Sequence, residues 1–174
     1  MKLQSRNIKV LNEEAFLDVG GQNIQYGKEY FENYRKYNYT EIGQKLVNFR
    51  KAYVECFSID GDIMDFGAGF GEIVVQDSKN RWRGYDINPM SKNRLGKKFD
   101  TNLANYNNLA NYNNVCFFDV LEHFSNPSKL LKQLHIGTRV FVTIPLWNGD
   151  WNNLENIKKW KHWKPKEHFL YTSP

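Results

Sequence analysis

Residues 62–71 read DIMDFGAGFG, and the interpretation of the whole chain turns on them. Asp62 to Gly67 is a short apolar run that stops at the first of three alternate glycines, Gly67, Gly69 and Gly71, and the EIVVQDSK that follows can open a helix. A strand that breaks into such a turn leaves backbone N–H groups bare of side chains, so a ligand can approach the main chain closely. A second strand, RWRGYD, runs from Arg81 to Asp86 and ends on an acid 21 residues after Asp65. At that place a carboxylate can accept both hydroxyls of a ribose. The glycine triplet alone is weak evidence, and the bland account is a tight turn beside a solvent-facing acid. The pair together is much stronger than either part.

Working outward, the same alternation continues. PMSKNRLGKKF is a helix opened by Pro89, and Val115 to Asp119 (VCFFD) is a further apolar strand. SNPSKLLKQLH follows, with Ser125 as an N-cap and leucines at 130, 131 and 134, and Thr138 to Pro145 (TRVFVTIP) is a β-branched strand. Strands alternating with helices predict an α/β fold whose parallel sheet is covered on both faces. Upstream, Ile42, Leu46, Phe49 and Tyr53 recur at helical spacing behind Thr40, which predicts an amphipathic helix. Tyr26, Tyr30, Phe31, Tyr34, Tyr37 and Tyr39 precede it, either as a helix packed on the domain or as a lid whose aromatics cover a pocket. LANYNNLANYNN, residues 103–114, is a tandem duplication, read as a tolerant surface connection.

The 174 residues suit one domain, and 41% apolar with 16% aromatic side chains is enough for a core and excludes wholesale disorder. No run approaches the roughly 18 to 20 apolar residues of a membrane-spanning helix, and residues 1–12 lack a signal peptide's apolar stretch. A soluble, cytoplasmic protein without membrane contact is the expectation. The formal charge of +5 favours anionic ligands but is far from the density of a dedicated nucleic-acid binder. Cys56 and Cys116 form no C-x-x-C and have no histidine at ligand spacing, so both read as buried apolar residues and no metal site is expected.

The glycine spacing separates cofactors. A dinucleotide fingerprint is G-x-G-x-x-G, whereas this loop is D-x-G-x-G-x-G. It resembles the first motif of class I S-adenosylmethionine (SAM) dependent methyltransferases. The resemblance implies that Asp65 lies near the methionine amine, that the Gly67, Ala68, Gly69 and Gly71 loop lets the cofactor pass, and that Asp86, with Ile87 beside it, binds at the ribose. FFDVLEHFSNPSKLLKQL is similar to the segment after strand four in the ubiquinone-biosynthesis-like branch, with Asp119, Glu122 and His123 filling its D-x-x-E-H positions. In the family that segment lines the methionine end of the cofactor and the reaction centre. WKHWKPKEHFLYTS and YGKEYFENYRKYNYTEIGQKL resemble segments of small methyltransferases of bacteria and their phages, so the match runs from Tyr26 onwards.

The resemblance implies a Rossmann-like three-layer sandwich with sheet order 3-2-1-4-5, strands six and seven missing, and the asparagine repeat where strand three belongs. A helical cap over residues 1–56 and a SAM-binding core over 57–174 are expected. Strand five would be an exposed edge unless the C-terminal tail or a second copy covers it, so a homodimer, a truncated gene product and a compact variant all fit. The implied activity is methyl transfer from SAM, giving S-adenosylhomocysteine (SAH), to an oxygen or nitrogen of a small molecule or a terminal sugar or nucleotide group. The alternatives are a non-catalytic SAM-binding or scaffolding subunit completed by a partner and, less in keeping with the glycine spacing, an NAD-dependent oxidoreductase. His123 reads as the general base or as a histidine fixing its turn; His168 with Glu167, and His162, are second candidates. Glu122 would orient a substrate or pair locally, and His135 would cap the leucine helix. Nucleic acid is not an expected partner, since FDVLEH stands where amino-methyltransferases of nucleic acids carry [DNS]-P-P-[YFW], and Cys116 lacks a Pro-Cys loop. The tail, with Lys158, Lys159, Lys161, Lys164, Lys166 and three tryptophans, suits an anionic or aromatic acceptor.

Overall fold

A computed structural model describes residues 8–12, 15–18, 26–105, 108–150, 153–165 and 167–173. In chain order the strands are β1 (Ile8–Asn12), β2 (Ala15–Asp18), β3 (Ile63–Phe66), β4 (Trp82–Tyr85), β5 (Asn114–Phe118), β6 (Arg139–Thr143) and β7 (Leu170–Thr172). The α-helices are α1 (Lys28–Asn38), α2 (Glu41–Phe57), α3 (Glu72–Val75), α4 (Pro89–Leu95), α5 (Pro127–Leu131) and α6 (Leu154–Lys159). The chain divides into two compact units, Tyr26–Phe118 with Ser128–Val142, and Met1–Gln25 with Asp119–Pro127 and Thr143–Pro174.

The larger unit is built on a sheet of order β4-β3-β5-β6. β3 is buried at every position, as a central parallel strand must be when helices cover both faces, and it runs parallel to β4 and to β5. This is the Rossmann-like α/β arrangement that the sequence predicts, with β6 at the edge. Among the described residues this sheet has one strand fewer than the order 3-2-1-4-5 requires. At the place of the third strand Phe99 makes a single parallel bridge to Gly84, and the N–H of Asp100 donates to the Gly84 carbonyl at 2.9 Å. The chain then turns into 3-10 helices at Thr101–Asn105 and Leu109–Asn111. Between Gly96 and Asn114 only Thr101 is β-branched, so little favours extension.

The duplicated segment is not a tolerant surface connection. Leu103 and Leu109, equivalent in the two copies, are both fully buried. Tyr112 donates to Asp100 at 2.7 Å, and the buried Asn114 side chain exchanges hydrogen bonds with the backbone of Ile59 at 2.8 and 2.9 Å.

Thr40 caps α2 by accepting from the N–H of Gly43 at 3.0 Å. The helical period is as predicted, but the buried face is another one. Gly43, Val47 and Val54 turn inward, while Ile42 is 71% exposed and Phe49 and Tyr53 stay on the outside. Small residues win the inner face because a close approach is needed there; a Cβ on Gly43 would strike the carbonyl of Tyr37. The core gathers Val47, Val54, Ile63, Ile73, Val74, Trp82, Leu95, Cys116 and Phe141. Cys116 is buried as expected, whereas Cys56 is exposed.

The smaller unit carries an antiparallel sheet of order β1-β2-β7, extended by a bridge between Leu146 and Thr172. Residues 8–12 and 15–18 are thus strands, and the helices of the expected N-terminal cap, α1 and α2, begin only at Lys28. Among the described residues no helix is long and apolar enough to cross a membrane.

Candidate active site

In the larger unit, the predicted loop leaves β3 with three left-handed glycines, Gly67 (φ 82°), Gly69 (φ 54°) and Gly71 (φ 75°). Side chains avoid this region, which is why glycine stands at each turn of the loop. The N–H groups of Gly67 and Ala68 both donate to the carbonyl of Tyr85, at 2.8 and 2.9 Å, tying the loop to the end of β4. Gly71 has a packing reason as well, because a Cβ there would meet Leu95 at 2.5 Å. Gly69 differs: a Cβ there would meet nothing within 4 Å, so this part of the loop faces open space. The following helix, α3, has four residues, so the accessible backbone rather than a helix dipole is what the loop offers.

Asp86 stands at the end of β4. Its Oδ2 accepts from the N–H of Gly69 and its Oδ1 from the N–H of Asn88, both at 2.7 Å, so one carboxylate clamps the glycine loop to the cap of α4. Burial raises its pKa, opposed by those two N–H donors. Ile87, next to it, is 69% exposed. Asp65 ends β3, buried, and its pKa is raised to about 7, chiefly by burial, with Arg50 opposing and Asp86 adding to the rise.

The remaining predicted residues lie in the smaller unit. Asp119 takes a left-handed conformation (φ 57°), which aspartate tolerates, and its exposed carboxylate accepts from the Thr143 hydroxyl at 3.1 Å. Glu122 (1% exposed) and His123 share a 3-10 turn, Leu121–His123. The N–H of Phe169 donates to the Glu122 carbonyl at 2.6 Å, which brings His168 (3% exposed) beside that turn. The His123 and His168 rings meet edge to face at 4.8 Å, and Nδ1 of His123 donates to the Glu167 carbonyl at 3.1 Å. Burial lowers the pKa of His123, and lowers that of His168 to about 3, with neighbouring His123, Lys164 and His162 adding to the fall. Both are neutral imidazoles near pH 7. The tail's aromatics pack behind them: Trp163 and Tyr171 at 4.9 Å, Trp147 and Trp160 at 5.5 Å.

A family model described as a methyltransferase domain matches residues 31–174. The chain belongs to the methyltransferase domain family. This agrees with the resemblance of the D-x-G-x-G-x-G loop to the first motif of SAM-dependent methyltransferases. The fold of this methyltransferase domain is similar to that of the plantazolicin methyltransferase BpumL, solved with a pentazolic desmethylPZN analog and SAH (TM-score 0.50, 18% identity, 80% of this chain and 60% of that one). It is also similar to a SAM dependent methyltransferase from Archaeoglobus fulgidus (TM-score 0.52, 18% identity, 80% of this chain and 66% of that one). The chain therefore spans about two thirds or less of the length of these solved relatives. Among curated proteins no match is found.

Several residues around the loop escaped the sequence reading. Asn88 caps α4 by accepting from the N–H of Met90, and its amide reaches the carbonyl of Gly27 ahead of α1. The Ser91 hydroxyl donates to the carbonyl of Gly69. Phe70 sits between Phe31 (5.3 Å), Tyr39 (5.8 Å) and the Arg94 guanidinium (4.0 Å), so the aromatic N-terminal helix is anchored on the loop itself. The Asn-Pro pair at 88–89 was the available signal for the cap; Ser91 and Arg94 act across the loop and carry none.

The raised pKa of Asp65 has a consequence for stability. The folded chain retains a proton that the unfolded chain releases between pH 3.8 and about 7. Stability therefore falls as pH rises through that window, by up to about 1.4 kcal/mol per pH unit. Asp65→Asn removes the titration, and urea unfolding at pH 5 and pH 7.5 should show a flatter dependence than the parent. An identical slope in the variant would contradict the buried-carboxyl assignment.

Proposed function

We propose that this domain holds SAM at the glycine loop and transfers its methyl group to an oxygen or nitrogen of a small acceptor. The observation that carries the reading is the Asp86 clamp beside the open Gly69. A carboxylate has about four lone-pair positions. Two are used by the Gly69 and Asn88 N–H groups, and one remains on each oxygen for a pair of vicinal ribose hydroxyls. Ile87 offers an exposed apolar side chain next to that carboxylate for the face of a base.

Asp65 suits the ammonium end of the cofactor. A buried carboxyl that is half-neutral near pH 7 ionises when a cation settles beside it, and the pair then compensates the burial. SAM supplies a methyl on a sulfonium. Displacement from it needs chiefly a nucleophile placed in line, so the protein's contribution is orientation and, for hydroxyl acceptors, removal of a proton. The lysine- and tryptophan-rich composition of the tail favours an anionic or aromatic acceptor.

The test is conversion of SAM to SAH by the purified chain in the presence of candidate hydroxyl and amine acceptors. Acceptor-dependent SAH formation is expected. Tight SAH binding with no turnover on any acceptor, until a second protein is added, would replace this reading with that of a SAM-binding subunit.

A further inference from the structure

Glu122, His123 and His168 each offer one ligand atom, and these three atoms lie within 4.8 Å of one another. We propose that the triad is a binding site for one divalent transition-metal ion, held by two imidazole nitrogens and one carboxylate oxygen.

The donor set argues for this class of ion. Two imidazoles and a carboxylate suit Zn²⁺ or Fe²⁺, whereas Mg²⁺ and Ca²⁺ prefer oxygen alone. With bonds of 2.0 to 2.2 Å, ligand atoms around a tetrahedral ion stand about 3.4 Å apart. Small side-chain rotations of an ångström or so close the present spacing to that value.

The surroundings are those that fix metal-binding histidines. A ligating imidazole commonly donates its other N–H to a carbonyl or carboxylate, which sets the tautomer. His123 does so through Nδ1 to the carbonyl of Glu167 at 3.1 Å, leaving the lone pair on Nε2. The His168 ring stands edge to face with that of His123, centroids 4.8 Å apart, so the two imidazoles face a common space. Backbone bonds hold both halves of the site: Phe169 N–H to the Glu122 carbonyl at 2.6 Å, and His168 N–H to the Lys164 carbonyl at 2.8 Å. Asp119 adds negative charge near His123 and His162.

Three protein ligands leave a position open for water or an exogenous oxygen or nitrogen donor. An imidazole nitrogen that holds a metal cannot also take a proton, so ligation replaces the general-base role expected of His123. It also replaces the expectation of no metal site, which rested on cysteine spacing. The proposal stands independently of the cofactor reading, since none of its residues belongs to the glycine loop or Asp86.

The experiment uses the full chain, stripped with a chelator and dialysed. Co²⁺ is titrated in while the visible absorption is followed, and Zn²⁺ is then titrated against a chromophoric chelator. One equivalent per chain is expected, with a cobalt spectrum of nitrogen and oxygen ligation that Zn²⁺ abolishes. His168→Ala and the near-isosteric Glu122→Gln should each weaken Zn²⁺ by more than the roughly 10- to 100-fold that loss of an outer-shell partner costs. Circular dichroism of each variant reports folding without reference to SAH. Should His168→Ala fail to fold, Glu122→Gln carries the test. Absence of stoichiometric uptake by the parent, or equal affinity in a folded Glu122→Gln, overturns the proposal.

Discussion

Asp86→Ala is expected to weaken SAH binding about a hundredfold or more. Each hydrogen bond from a ribose hydroxyl to a charged carboxylate is worth about 1.5 to 3 kcal/mol, and every 1.4 kcal/mol is tenfold in affinity. The variant loses both. It also releases the N–H groups of Gly69 and Asn88 from their shared acceptor, so the loop loses its tie to the cap of α4. Isothermal calorimetry of parent and variant measures the effect, with the melting temperature reported separately to isolate the contribution of the clamp. An unchanged SAH affinity in a folded variant would take Asp86 out of the ribose site.

Trp82→Ala should produce the largest loss of stability, about 3 to 5 kcal/mol. Trp82 is fully buried (0% exposed) at the start of β4, in the cluster with Val47, Val54, Ile63, Ile73, Val74, Leu95, Cys116 and Phe141. Truncation leaves a cavity under α2 that these side chains close only in part. Its backbone N–H is bound to Asp77 at 3.0 Å, and that bond survives the substitution; the indole N–H gives up its long bond to Glu55 at 3.4 Å, and the rest of the loss comes from packing. Against a typical total of about 5 to 15 kcal/mol, this takes the protein close to its unfolding threshold. Urea denaturation provides the measurement, and a loss below about 1 kcal/mol would mean that Trp82 is not central to the core.

The loop and the acid at the end of β4 were legible because both answer local demands. Left-handed turns require glycine at Gly67, Gly69 and Gly71, and a strand-end carboxylate at Asp86 falls beside the loop once the two strands are parallel neighbours. The buried face of α2 was not legible. Its sequence carries two apolar stripes at the same period, and the choice between them depends on how closely the neighbouring elements approach, which favours Gly43 and Val47 over Ile42 and Phe49. The asparagine-rich repeat looked tolerant because its composition is polar. Yet Leu103, Leu109 and Asn114 find partners only in three dimensions, Asn114 with Ile59 55 residues away. Glu122 and His123 were singled out, but their meeting with His168 depends on a backbone bond between Phe169 and Glu122, and no local spacing encodes it.

The central claim is that the glycine loop with Asp86 selects SAM. The most direct test is calorimetric titration of the purified chain with SAH, with NADH titrated in parallel. Micromolar binding of SAH with no heat from NADH is the predicted result. Binding of NADH in place of SAH would contradict the account, and so would a folded protein that binds neither.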